Sequence, residues 1–118
     1  MEKSTKLKIS GKDYVVNFPN VGQILDIESL KSALTNGQYG DFIKMGTKYS
    51  NDVLDLVDTI ATFSVLIPEL KDEFNVKNFS DMDPFVAIKY VKVYKKQFFL
   101  WFNTINNELR KLGNEDDE

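Results

Sequence analysis

Residues 84–112, PFVAIKYVKVYKKQFFLWFNTINNELRKL, decide how this chain of 118 residues is read. Apolar residues recur at Ala87, Val91, Tyr94, Phe98, Trp101/Phe102, Ile105, Leu109 and Leu112. Steps of three and four place them on one face of an α-helix. The spacing predicts one long helix, about 43 Å from end to end at about 1.5 Å per residue. A compact domain of this size has a radius of gyration of about 13–14 Å, so such a helix would cross the whole domain with an end free to protrude.

Two features of this stretch bear on function. The run FFLWF, comprising Phe98, Phe99, Leu100, Trp101 and Phe102, is apolar at every position. Successive helical residues are about 100° apart, so the five point in all directions around the axis and no single core face can bury them. Either the helix is central and wrapped on most sides, or part of the belt is a protein–protein surface. The second reading is the stronger, because the far end of so long a helix lacks enough neighbours, and these five residues are the candidate partner-binding set. Upstream, Lys89, Lys92 and Lys96 fall at i, i+3 and i+7 with Lys95 beside them, and Tyr90 and Tyr94 interleave. Basic residues mixed with rings are the composition of a single-strand nucleic-acid platform, which makes the three lysines a candidate anion-binding set. An ordinary solvated helix face has the same composition and is the preferred reading.

Before this helix the chain changes period. Leu7 and Ile9, then the turn sequence Ser10 to Asp13, then Tyr14, Val16 and Phe18, alternate as the two strands of a β-hairpin with one apolar side. Met1 to Thr5 reads as a polar lead-in. Pro19 ends the second strand, and Asn20 is placed to cap a helix carrying Val21, Ile24, Leu25, Ile27, Leu30 and Leu34, with a left-handed stop at Asn36-Gly37. Glu28 and Lys31 form an exposed pair on it. The glycine-punctuated GQYGDFIKMGTKY follows, with a short helical turn around Asp41 to Met45. It is an ordered connection or a docking loop; it lacks the Lys-Ser/Thr pair of a phosphate loop. Ser50 or Asn51 is expected to cap a second main helix, whose stripe Val53, Leu56, Val57, Ile60, Phe63 and Ile67 predicts deep burial. Pro68 forces its end near Ile67. Glu69 to Phe74 adds a helical turn, Asn75 to Phe79 connects, and Ser80 or Asp83 caps the long helix with Pro84 in its first turn. Gly113 is expected to terminate that helix, leaving residues 113–118 as an acidic disordered tail.

Composition removes several function classes. There is no Cys and no His, which excludes Ser-His-Asp and Cys-His triads, disulfides and the common zinc sites. Asp52, Asp55 and Asp58 line one side of the second main helix, but without a second convergent cluster they read as a solvated stripe rather than a metal or catalytic site. Asp81 and Asp83 imitate the start of a calcium loop, yet Val86 and Lys92 stand where it needs Gly and Glu. A net charge of −3 opposes nonspecific attraction to polyphosphate. Neither a signal-peptide core nor an 18-residue apolar run is present, so a cytoplasmic setting without a membrane partner is expected, and no cofactor or metal.

The hairpin ISGKDYVVNFPN, a following amphipathic helix with a Glu, and a compact acidic helical chain of this length together resemble small assembly proteins of tailed bacteriophages, tail assembly chaperones in particular. The resemblance covers the pattern of Lys6 to Leu70 and has no diagnostic motif, so no functional residue is carried over. It implies an oligomeric, non-enzymatic, helical protein with a small β element that shields a hydrophobic tape-measure protein before the tail tube polymerises, acting in host cytoplasm or virion. The expectation is a single α+β domain, predominantly α, with an N-terminal hairpin packed on about three main helices. Its expected role is non-catalytic assembly through an apolar helix surface, with a homo-oligomer or a protein partner. A small nucleic-acid-binding or regulatory module using the lysine face is the rival, and a hydrolase or transferase comes third.

Overall fold

The hairpin turn is two residues long. Ser10 and Gly11 both have positive φ, 52° and 80°, the geometry that suits the right-handed twist of paired strands. In the computed structural model, which describes residues 3–74 and 80–114, the turn joins β1 (Ser4–Ile9) to β2 (Lys12–Asn17). The strands are antiparallel, with Leu7 opposite Tyr14, Thr5 opposite Val16 and Ile9 opposite Lys12. This register puts Leu7, Ile9 and Val16 on one face, where all three are buried. Lys12 reaches that face beside the turn, with its ammonium 5.3 Å from the centre of the Tyr14 ring. The strand begins at Ser4, inside the expected lead-in, because the Phe18 amide bonds to the Lys3 carbonyl at 2.7 Å and extends the pairing. The fold is α+β and predominantly α.

Residues group into two compact units, Met1–Phe18 with Lys92–Glu118, and Pro19–Val91. In the first, the hairpin meets the C-terminal helical run, which comprises the end of α5 (Pro84–Val93), a π-helical turn at Tyr94–Phe98 and α6 (Phe99–Asn114). The helical run was expected and reaches Asn114; Gly113 does not stop it, and residues 115–118 of the expected tail lie outside the described residues. Gln97, in the π-turn, joins helix to strand: its carboxamide oxygen accepts the Lys8 amide at 2.8 Å and its nitrogen donates to the Lys8 carbonyl at 3.1 Å. One side chain thereby serves both backbone groups of a strand residue, as a neighbouring strand would.

The second unit is helical. Asn20 caps α1 (Val21–Leu34) through a reciprocal pair with Gln23. The helix ends as expected: Asn36 is left-handed at φ 52°, Gly37 donates to the Ser32 carbonyl at 2.8 Å, and Asn36 donates to that of Ala33 at 3.3 Å, a Schellman motif. Its expected stripe is corrected. Ile27 is buried and Leu30 and Leu34 partly so, while Val21, Ile24 and Leu25 are exposed. Leu25 and Ile27 are two residues apart and so about 200° apart around the axis; the six apolar residues never shared one face.

Next come α2 (Tyr39–Met45) and α3 (Lys48–Leu66). The cap of α3 is Thr47 rather than Ser50 or Asn51; Ser50 is the reciprocal partner three residues on, its hydroxyl accepting the Thr47 amide at 2.9 Å. From Thr59 to Ser64 every residue of α3 is buried, as deep burial predicts. Pro68 closes the helix at Ile67 and opens a 3₁₀ turn, Pro68–Leu70, that runs into α4 (Lys71–Phe74). The expected connection at residues 75–79 lies outside the described residues. Asp83 then caps α5, accepting the Phe85 amide at 2.9 Å.

Candidate interaction surface

The belt at residues 98–102 is divided by the helix that carries it. Phe98 is fully enclosed, stacked on Tyr94 at 5.2 Å and on Phe102 at 5.0 Å, with Trp101 edge-on at 5.6 Å. Phe18, at the end of the hairpin, stacks on Phe102 at 5.2 Å and meets Trp101 edge-on at 6.1 Å, leaving those two rings half-buried. Phe99 and Leu100 remain 47% and 78% exposed. They follow from the 100° step: each lies about 120–140° around α6 from the buried Ile105.

A second uncovered surface lies farther along. Within α6, Phe102, Ile105, Leu109 and Leu112 are spaced three, four and three apart, the seam of a heptad helix. The first two are covered. Leu109 and Leu112, expected on the same face, are 49% and 62% exposed, because the covering rings end with Phe18 against Trp101 and Phe102. The seam therefore outruns its cover.

The lysine face loses its rings. Lys89, Lys92 and Lys96 are exposed, but Tyr90 and Tyr94 are buried. Tyr90 packs edge-on against Phe74 at 4.7 Å, and its hydroxyl donates to Glu73. The expected interleaving fails because tyrosines at i and i+4 share the apolar side of the helix. Lys96 also sits in the π-turn, where the α-helical spacing that aligned it with Lys89 and Lys92 no longer holds.

Of the three aspartates, Asp58 has structural work. It accepts the Tyr39 hydroxyl and pairs with Lys31 at 3.6 Å, while Lys31 also meets Glu28 at 3.0 Å and lies 5.4 Å from the Tyr39 ring centre. Of the Glu28–Lys31 pair, expected to be exposed, Glu28 is exposed and Lys31 is mostly buried, and Lys31 belongs to a clamp linking α1, α2 and α3. Among the described residues no group of three or more carboxylates is placed to hold a metal ion, and no helix is long and apolar enough to cross a membrane.

Sequence reasoning missed one concave feature. A groove of about 590 Å³ is lined by Leu30, Ala33, Gln23, Asp26 and Ser29 from α1, Ser64 and Val65 from α3, and Lys71 from α4. The only signal for it was the run of short side chains, Ser29 and Ala33, four apart on α1. Compared with protein-family models, curated proteins and solved structures, the chain has no match.

Proposed function

We propose that this protein is a non-catalytic assembly or chaperone-type protein that works by docking a protein partner or another copy of itself on the apolar surface of α6. The observation that carries the reading is that α6 leaves large apolar side chains exposed, Leu109 and Leu112 together on its seam and Phe99 and Leu100 off it. Monomers seldom leave more than a few hundred Å² of contiguous apolar surface bare. A helix whose seam continues past its own cover has the form of a helix that another surface completes. The resemblance to phage tail assembly chaperones supports the same class of role, with a hydrophobic tape-measure-like protein as the partner it implies.

The nucleic-acid alternative keeps its three exposed lysines but has less behind it, since the rings that would stack bases are inside. Sedimentation velocity tests the main reading. The wild type should sediment as a dimer or larger, and the variant Phe99→Asp, Leu100→Asp, Leu109→Asp, Leu112→Asp should be a folded monomer by far-UV circular dichroism. If the substituted protein keeps the association state of the wild type, α6 is not the working surface.

A further inference from the structure

Among the described residues, the hydroxyls of Thr59 and Thr104, and of Thr35 at the end of α1, turn back to the carbonyl four residues earlier: Thr35 to Lys31 at 2.8 Å, Thr59 to Asp55 at 2.7 Å and Thr104 to Leu100 at 2.7 Å. Ser64 does not. Its hydroxyl is buried without a hydrogen-bond partner, and the residue is 1% exposed. Leaving a buried hydroxyl unsatisfied costs about 1–3 kcal/mol, and a helical serine has the carbonyl of the preceding turn within reach. Ser64 lines the α1/α3/α4 groove, so an unpartnered hydroxyl lies in the groove wall.

The rest of the lining says what kind of occupant fits. Leu30, Ala33 and Val65 are its apolar part, Ser29 and Ala33 are short enough for a second helix to come close, and Asp26 and Lys71 place opposite charges on α1 and α4. The uncovered end of α6 is complementary. Leu109 and Leu112 form its apolar ridge. Glu108 flanks that ridge on one side, and Asn106 with Gly113 flanks it on the other, by the 100° step of the helix. A Glu108 carboxylate, which within one copy pairs with the exposed Lys111 at 3.6 Å, suits Lys71, and an Asn106 carboxamide can donate to Asp26.

We propose that the α6 end of one copy docks in the α1/α3/α4 groove of a second copy, Leu109 and Leu112 entering as the apolar ridge and Glu108 meeting Lys71. The proposal rests on the assembly reading above and names its partner. Each copy offers both halves, so association closes where two reciprocal ridge–groove contacts can form and otherwise continues into a ring or an open chain.

Two variants test it, each substituted only at exposed positions. Ser29→Arg with Ala33→Arg fills the groove and leaves the ridge; Leu109→Asp with Leu112→Asp spoils the ridge and leaves the groove. Both should remain folded by circular dichroism and, alone, sediment as monomers at concentrations where the wild type associates. Mixed in equal amounts they should form a dimer and nothing larger, since only one ridge–groove pair is intact. If the groove-filled variant associates like the wild type, the groove is not the acceptor: the proposal falls while the assembly reading stands. If the ridge variant associates like the wild type, the proposal falls and the assembly reading loses the seam as well. A wild type that stays monomeric at about 1 mM also overturns it.

Discussion

Phe98→Ala and Phe99→Ala, adjacent substitutions in one aromatic run, should differ severalfold in cost. Phe98 is fully enclosed, with ring contacts to Tyr94, Trp101 and Phe102. Removing a buried Phe side chain costs about 3–5 kcal/mol from lost transfer and the cavity left behind, a large share of a total stability of about 5–15 kcal/mol. Phe99 already exposes 47% of its surface. An aromatic side chain buries about 150–250 Å² when covered, so roughly 100 Å² is at stake there, or about 1–2 kcal/mol at about 25 cal/mol/Å² once the retained Cβ is allowed for. The single tryptophan, Trp101, packs against Phe98 and Phe18, so its fluorescence reports unfolding where the substitutions are made. With a urea slope of about 2 kcal/mol/M, Phe98→Ala should lower the midpoint by about 2 M and Phe99→Ala by less than 1 M. Equal shifts, or a larger one for Phe99→Ala, would refute the placement of the α6 faces and with it the division of the belt into core and surface.

Two further substitutions probe the local devices that set the fold. Gln97→Ala removes both hydrogen bonds to the Lys8 backbone; at about 0.5–1.5 kcal/mol each, the loss should be about 1–3 kcal/mol, and the Lys8 amide should lose its protection in hydrogen exchange. Unchanged protection would mean that the strand edge does not depend on Gln97. Asn36 holds φ 52° at the end of α1, so Asn36→Gly should be neutral or slightly stabilising, whereas Asn36→Ala should cost about 1 kcal/mol; thermal unfolding that ranks Ala above Gly would contradict the left-handed cap.

Much of the fold was legible because its punctuation is local. Asn20, the Asn36-Gly37 stop, Pro68 and the Asp83-Pro84 start each act within a few residues of themselves, and each bounds the element the sequence assigned to it. Thr47 escaped because Ser50 has the same chemistry and sits in the same reciprocal pair; sequence alone does not say which hydroxyl is the cap and which the answering partner. The faces of α1 were misread for a different reason. Apolar residues at 21, 24, 25, 27, 30 and 34 satisfy helical steps pair by pair, but the pairs 21/25 and 27/34 follow different sides of the helix, and only the packing of α3 selects one of them. Tyr90 was read as a ring among lysines because its neighbours in sequence are basic. Its position in space is set by Phe74 and Glu73, which lie sixteen and seventeen residues earlier in the chain.

The π-turn at Tyr94–Phe98 joins these observations. The Phe99 amide bonds to the Tyr94 carbonyl, a five-residue step, so the phase of α6 is not continuous with that of α5 and the apolar positions of each must be counted separately. Counted within α6, the seam is Phe102, Ile105, Leu109 and Leu112, and Phe99 and Leu100 lie off it. Counted across the turn, the belt is five residues that fit no face. The same turn carries Gln97, whose carboxamide needs to meet a strand backbone group for group, and Phe98, whose ring needs to stack on Tyr94 and Phe102 together. An uninterrupted helix would fix those two neighbours at a 100° step; the wider turn changes it. The bulge thus accompanies the attachment of the hairpin to the helix, while Leu109 and Leu112, beyond the hairpin's rings, stay exposed among the described residues. That exposed remainder is the observation on which the proposed assembly role rests.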